Sequence, residues 1–255
     1  MELSVYRDFI VDLATASGDL IRPYFGARDL DVRLKADETI VTTADRDAEA
    51  LMREMIARRF PDHGILGEEY GEDRPNAEFV WVLDPIDGTI SFASASPLFG
   101  TLIALLHEGR PVLGCIHQPV LRQVLLGDGE TAALNGERVH VRSTPSLADA
   151  TLLVTDLLDV QKHQDGAAFE ALMHGVKLVR TWGDCYGYLL LATGHADIMC
   201  DPLMNPWDIA ALIPVVRGAG GVITDWQGND AVGANSIVAT TSPTLHGKVI
   251  ARLNP

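Results

Sequence analysis

The chain has few cysteines, few positive charges and no long apolar run. Three cysteines stand among 255 residues, an odd number without a CxxC pair. Cys115, Cys185 and Cys200 each lie in an apolar context, so they read as small reduced core residues rather than a disulfide framework. No stretch approaches the roughly 20 apolar residues that a membrane helix needs, and the opening MELSVYRDFIVDL lacks the basic start of a signal peptide. These absences together predict a cytoplasmic protein. Lys and Arg total 20 against 35 Asp and Glu, a formal net charge of −15, and the cations are scattered. That argues against nucleic acid or an anionic membrane as the main partner. An acidic protein still accepts an anionic substrate when divalent cations invert the local field. What is present is ordinary for a globular chain: 47% apolar and 22% charged residues, enough for one large domain or two modest ones.

The chain is organised around FVWVLDPIDGTISFASASPLFG, from Phe79 to Gly100. The apolar run Phe79–Leu83 predicts a buried strand. Pro85 cannot continue a ladder and Gly88 permits backbone geometry closed to other residues, so a turn is expected over Asp84-Pro85-Ile86-Asp87-Gly88-Thr89. Asp84 and Asp87 are then held together at a strand end, where two anions repel and are costly to bury unless a cation lies between them. A bare DxxD on its own is equally a solvated acidic turn.

Before this stretch, Val5–Leu20 carries a helical stripe of Tyr6, Phe9, Ile10 and Leu13 that Pro23 and Gly26 end. Asp31 to Thr43 reads as extended around a turn at Asp37-Glu38. Thr42 and Asp45 have the form of a capping box for a second helix, stopped by Pro61. His63 to Glu69 is a short apolar run ending in two acids. After the central turn, Thr101–His107 and Pro111–Gln118 predict a hairpin, and Asn135-Gly136 predicts a type I′ turn between Ala133-Leu134 and Val139–Val141. The polar segment Ser143–Ala150 divides the chain into an N-terminal half, 1–145, and a C-terminal half, 146–255. In the second half strands are expected at Thr151–Val154, Leu178–Thr181, Asp197–Cys200, Val222–Thr224 and Ser236–Thr240. Helices are expected at Ala167–Val176, Cys185–Thr193, Pro206–Ala219 and after Ser242-Pro243.

Asp208 begins an apolar helix after Asn205-Pro206-Trp207, a place that the helix dipole alone would explain. Glu68, Asp84, Asp87 and Asp208 are nevertheless four acids at element ends without a matching set of Lys or Arg. Oxygen-only donors select hard cations, Mg²⁺ being the usual choice beside phosphate. The eight histidines include no HxxxH or HExxH spacing, so a histidine metal site is no rival. Gly218-Ala219-Gly220-Gly221 ends a helix instead of following a strand, which favours helix termination over nucleotide binding.

VTTAD at 41–45, GEE at 67–69, DPIDGT at 84–89 and PWDIAA leading into GAGG at 206–221 resemble the inositol-monophosphatase-like Mg²⁺-dependent, Li⁺-sensitive phosphatases over nearly the whole chain. The resemblance implies an αβαβα sandwich, two or three Mg²⁺ ions and a homodimer. It implies that Glu68, Asp84, the Ile86 carbonyl, Asp87 and Asp208 hold the metals. Thr89 and Glu68 would activate water, with Asp45 as an outer partner and Lys35 as a further candidate near the site. The Gly88, Thr89 and Ile90 amides would face the phosphate if a short helix starts there.

Within the family the chain looks like the histidinol-phosphatase branch, through PLFGTLIALLHEGRPVLGCIHQPVLRQ, TWGDCYGYLLLATGHADIMCDP and LMNPWDIAALIPVVRGAGG. Gly183, Asp184, Asp201 and Asn205 would then flank the leaving group. Alternatively, Asp201 merely closes a turn before Pro202 and Asp184 merely caps a helix. The sequence departs from the branch at Ile90, Ala95 and Ser96, where a lysine, a glycine and often a basic residue are usual, and at Arg217, where an acid is common. The preferred activity is hydrolysis of L-histidinol phosphate. Inositol monophosphate or another small phosphomonoester is the alternative substrate, and a non-catalytic metal-binding module is the alternative class. A haloacid-dehalogenase-type phosphatase is disfavoured, because two residues rather than one separate the aspartates.

Overall fold

The computed structural model describes residues 3–28, 32–34, 40–144 and 146–255. Lys35 and the expected turn at Asp37-Glu38 lie outside the described residues. Helix α1 (Ser4–Ile21) buries Ile10, Leu13, Ala14 and Ile21 at helical spacing. Strands β1 (Val32–Leu34) and β2 (Ile40–Thr42) form a small antiparallel pair. Helix α2 (Thr43–Arg59) opens on the expected capping box of Thr42 and Asp45. Strands β3 (Gly64–Gly67), β4 (Gly71–Asp73) and β5 (Phe79–Asp87) follow. The last runs past the expected end at Leu83. Its register with the next strand shifts between Asp84 and Asp87, so Pro85 sits in a bulge where its missing N–H breaks no ladder bond.

Helix α3 (Thr89–Ala93) is a single turn and a half. Strands β6 (Gly100–His107), β7 (Arg110–Gln118) and β8 (Gln123–Gly127) form antiparallel hairpins. Strands β9 (Ala132–Leu134) and β10 (Glu137–Arg138) flank Asn135 and Gly136, whose φ values of 50° and 84° suit the type I′ turn. β10 stops before Val139–Val141, because the Val141 N–H donates instead to the Ala219 carbonyl at 3.0 Å.

The C-terminal half contains β11 (Thr151–Val154), α4 (Leu157–His163), α5 (Gly166–Gly175), β12 (Leu178–Arg180), α6 (Asp184–Ala192) and β13 (Ile198–Asp201). It ends with α7 (Pro206–Ile209), α8 (Leu212–Gly218), β14 (Val222–Thr224), β15 (Ile237–Thr240) and α9 (Pro243–Leu253). Two departures from expectation have local causes. Helix α4 was not expected; the Asp156 carboxylate caps it by accepting the Leu158 N–H at 2.7 Å. The single helix expected over Pro206–Ala219 is two helices, since Pro214 has no N–H to give the Ala210 carbonyl.

The larger sheet has the order β10-β9-β8-β7-β6-β5-β3-β4, and the smaller β12-β11-β13-β15-β14. Alternation along the strands sorts most buried side chains into three cores, beside a smaller cluster of Ile21, Ala44, Ala48, Ile86, Phe92 and Phe99. Trp81, Leu83, Ile103, Leu105, Leu113 and Cys115 face α1 and α2. Val82, Leu102, Ala104 and Ile116 face a central layer from α6 and α8, which Leu153, Met199 and Ala239 of the second sheet cover from the other side. Leu152, Val154, Ile198, Cys200 and Val238 face Phe169, Leu172, Leu245 and Val249 of α5 and α9. The result is the layered αβαβα sandwich. All three cysteines are buried and unpaired. Among the described residues no helix is long and apolar enough to cross a membrane.

Candidate active site

A cleft of about 580 Å³ opens where β3 and β5 end and α3, α6 and α7 begin. Asp84, only 2% exposed, sits in the bulge of β5, and its Oδ1 accepts the Ile86 N–H at 3.0 Å. The bulge lets Asp87 share the same end of the strand. Asp208 comes from the α7 capping box, in which the Asn205 N–H donates to Oδ2 at 2.6 Å. One carboxylate oxygen from each of Asp84, Asp87 and Asp208 lies within 4.8 Å of the others. Glu68 follows β3; its N–H donates to the Leu83 carbonyl at 3.2 Å, which sets it alongside the strand carrying Asp84.

Thr89 is the first residue of α3, after Gly88 at φ +85°. A side chain at Gly88 would lie 2.8 Å from Asp184 Oδ2 and 2.9 Å from the Leu98 carbonyl, so space and backbone both require glycine there. The Thr89 hydroxyl donates to the Ile86 carbonyl at 3.0 Å and reaches Asp45 Oδ1 at 3.4 Å. The other oxygen of Asp45 accepts the Thr42 N–H and hydroxyl at 2.8 and 2.5 Å. The capping box of α2 therefore also orients the Thr89 hydroxyl.

The opposite wall starts at Gly183, the N-terminal cap of α6. Asp184 follows with φ +49°, a conformation aspartate tolerates better than most residues, and its Oδ2 accepts the Ser91 hydroxyl at 3.3 Å. Its N–H donates to Thr155 Oγ1 at 2.9 Å, whose own proton goes to Asp201 Oδ1 at 2.6 Å. The Tyr188 hydroxyl donates to the other Asp201 oxygen at 2.9 Å. Asp201 is thus buried beneath Thr155 with both oxygens engaged. The Cys185 N–H donates to Asp87 Oδ2, joining the two walls. Asp156 and Asp159 of the α4 segment complete the lining, and neither was anticipated from sequence. Their signal was an Asp cap before Leu157-Leu158-Asp159, too short a periodic run to mark a helix. No lysine or arginine lines the cleft among the described residues. Arg217 pairs instead with Asp230 at 2.9 Å, away from it. Ile90, 69% exposed, lies at the cleft's edge.

Burial and mutual repulsion raise the acids together. Burial pushes Asp84 well above the ordinary carboxylate range, followed by the charges of Glu68, Asp87 and Asp208. Burial, then Asp184 and Asp208, does the same to Asp87. Burial is the largest cause at Asp208 and Asp184, each raised to about 7, and at Asp45, raised to about 6. Converging oxygen donors whose charges oppose one another fit a hard divalent cation, which would relieve the repulsion.

The model of the inositol monophosphatase family matches residues 2–255. The chain is 43% identical over 234 residues to the chloroplastic bifunctional phosphatase IMPL2 of Arabidopsis thaliana, covering 90% of this chain and 67% of that one. It is 40% identical over 223 residues to a histidinol-phosphatase of Chlorobaculum parvum, covering 87% and 86%. The solved inositol monophosphatase of Zymomonas mobilis superposes with a TM-score of 0.86 at 37% identity, over 99% and 100% of the two chains. Fold and cleft are thus those of a phosphoric monoester hydrolase. The chain belongs to the inositol monophosphatase family.

Proposed function

We propose that the protein hydrolyses L-histidinol phosphate to L-histidinol and phosphate with Mg²⁺. The observation that carries this reading is the acidic wall of Asp156, Asp159 and Asp184, with no cation among the described lining residues. Histidinol phosphate brings an ammonium and an imidazole, which such a wall accepts through charge-assisted hydrogen bonds. Inositol phosphate offers only hydroxyls. It is the second reading, favoured by the Ser91 and Thr155 hydroxyls in the cleft and by the Zymomonas likeness. The histidinol-phosphatase relative supports the first.

Glu68, Asp84, the Ile86 carbonyl, Asp87 and Asp208 would hold two or three Mg²⁺ ions. When bound, Mg²⁺ lowers the pKa of a water and neutralises charge on the phosphate oxygens. The chain's own residues orient that chemistry. Glu68 takes the water's proton, and Thr89, held by the Ile86 carbonyl and Asp45, directs the attacking oxygen. The first N–H groups of α3 have no partner within the helix and face the phosphate. Asp184 faces the cationic part of the substrate, while Asp201 supports it through Thr155. Asn205 acts from the α7 cap. Inhibition by millimolar Li⁺, a homodimeric state and a cytoplasmic location belong to the same reading.

The test is kcat/KM for histidinol phosphate and inositol 1-phosphate, within a panel of phosphomonoesters assayed with Mg²⁺. The reading requires a preference for histidinol phosphate of about tenfold or more. Equal rates, or a preference for inositol phosphate, would defeat it.

A further inference from the structure

Helix α2 carries Asp45, Glu49 and Arg53 at successive four-residue spacings, so all three share one face. Asp45 reaches Thr89. Glu49, one turn on, is fully buried, 0% exposed. Its Oε2 accepts the Glu69 N–H at 2.7 Å, and its Oε1 accepts the Tyr70 N–H at 3.2 Å and the Arg53 Nε–H at 2.7 Å. Arg53 also donates to the Gly71 carbonyl. The turn between β3 and β4 is therefore gripped at its amides by the carboxylate and at a carbonyl by the guanidinium. A side chain at Gly67 would come within 2.0 Å of Glu49 Oε1, so the backbone lies directly against that oxygen. Glu68 sits inside this turn.

A buried ion pair is a weak source of stability, since desolvation offsets most of its attraction. Met52 and Ile56 show that α2 packs elsewhere with apolar side chains. What a hydrogen-bonded carboxylate does better than an apolar group is fix the direction of backbone N–H groups. We propose that Glu49 is a positioning residue for Glu68. Through Asp45 and Glu49, α2 then sets both groups assigned to water activation. This rests on the metal reading above.

The test is calorimetric titration of the full chain with Mg²⁺ alone, beside thermal melting without metal. Wild type, Glu49→Gln, Arg53→Gln and Met52→Ala are compared, the last being a cavity in the same helix away from the turn. Glu49→Gln should bind Mg²⁺ about 10- to 100-fold more weakly, as expected for a lost partner behind the ligand shell, and Arg53→Gln about threefold more weakly. Met52→Ala should lower the melting temperature and leave Mg²⁺ affinity unchanged. A folded Glu49→Gln with wild-type affinity overturns the proposal, as does an equal loss in Met52→Ala. If Glu49→Gln does not fold, Arg53→Gln decides, and wild-type affinity there overturns it. A wild type that binds no Mg²⁺ instead overturns the metal reading, and this proposal with it.

Discussion

The cluster of Glu68, Asp84, Asp87 and Asp208, the proposed metal cradle, hangs largely on the ends of neighbouring strands, whereas the opposite wall, proposed to face the leaving group, hangs on the starts of α4 and α6. In the cradle, Asp84 and Asp87 are three residues apart and share one bulge, and Glu68 is tied by its own N–H to the strand beside it. Only Asp208 arrives from a distant helix. On the wall, Asp159 and Asp184 come from separate helices, and Thr155 links Asp184 to the buried Asp201 beneath it. A site built on paired strands leaves its side chains little freedom. A site built on helix starts and loops can change its chemistry with less disturbance to the fold. The cradle should therefore decide whether the enzyme works, and the wall on what.

That contrast breaks most sharply at Asp84. Asp84→Asn keeps the shape and removes a converging charge, and turnover on every phosphomonoester should fall by about 10³-fold or more with the fold retained. Circular dichroism beside a phosphate-release assay checks both halves of the statement; near wild-type turnover at saturating Mg²⁺ refutes the cradle's assignment. On the wall, Asp184→Asn and Asp159→Asn should each spare inositol 1-phosphate and cost histidinol phosphate about 10- to 100-fold in kcat/KM. Equal losses on both substrates would show that the wall does not select.

The acids of both walls also make a prediction in pH. Asp45, raised to about 6, and Asp184 and Asp208, raised to about 7, have folded-state values above the ordinary 3.8. Their contribution to stability is present in full below the unfolded value and is lost as pH rises through 6 to 7. The metal-free protein should melt about 5 °C higher at pH 5 than at pH 8, and Mg²⁺ should erase the difference while binding more tightly at the higher pH. A metal-free melting temperature that rises with pH over this window would contradict the linkage. The smallest effect lies outside both walls, after α3. Ala95 holds φ +55°, a left-handed conformation costly for a residue with a Cβ. Ala95→Gly should stabilise by about 0.5–1 kcal/mol and raise the melting temperature by about 2 °C. Scanning calorimetry reads it, and a lower melting temperature would rule out strain at this position.

Much of the cradle was legible because its signals are local. Strand hydrophobicity, a proline, a glycine and two aspartates occupy neighbouring positions, and Thr42 with Asp45 announces a helix start. The split between α7 and α8 was equally local in Pro214 but was hidden by an apolar run that continues through it. The wall was legible only in part. Gly183 and Asp184 could be named, but α4 gives too short a period to mark a helix, and nothing near Asp201 says that Thr155 and Tyr188 will occupy its oxygens.

By itself the sequence determined which residues lie inside. The apolar runs of β5, β6, β11 and β13 mark strands buried on both faces, and a strand's period of two sends successive side chains to opposite faces. It also determined that four acids stand at element ends. Tertiary structure alone decided which acids face the cleft and which are consumed beneath it. Asp159, Asp184, Asp201 and Glu49 are all aspartate or glutamate in sequence. Two line the opening, one is satisfied by a pair of hydroxyls, and one is buried against the backbone of the turn that carries Glu68. The reason is that a carboxylate's role is set by the donors within about 3 Å of it, and here those donors come from residues far away along the chain.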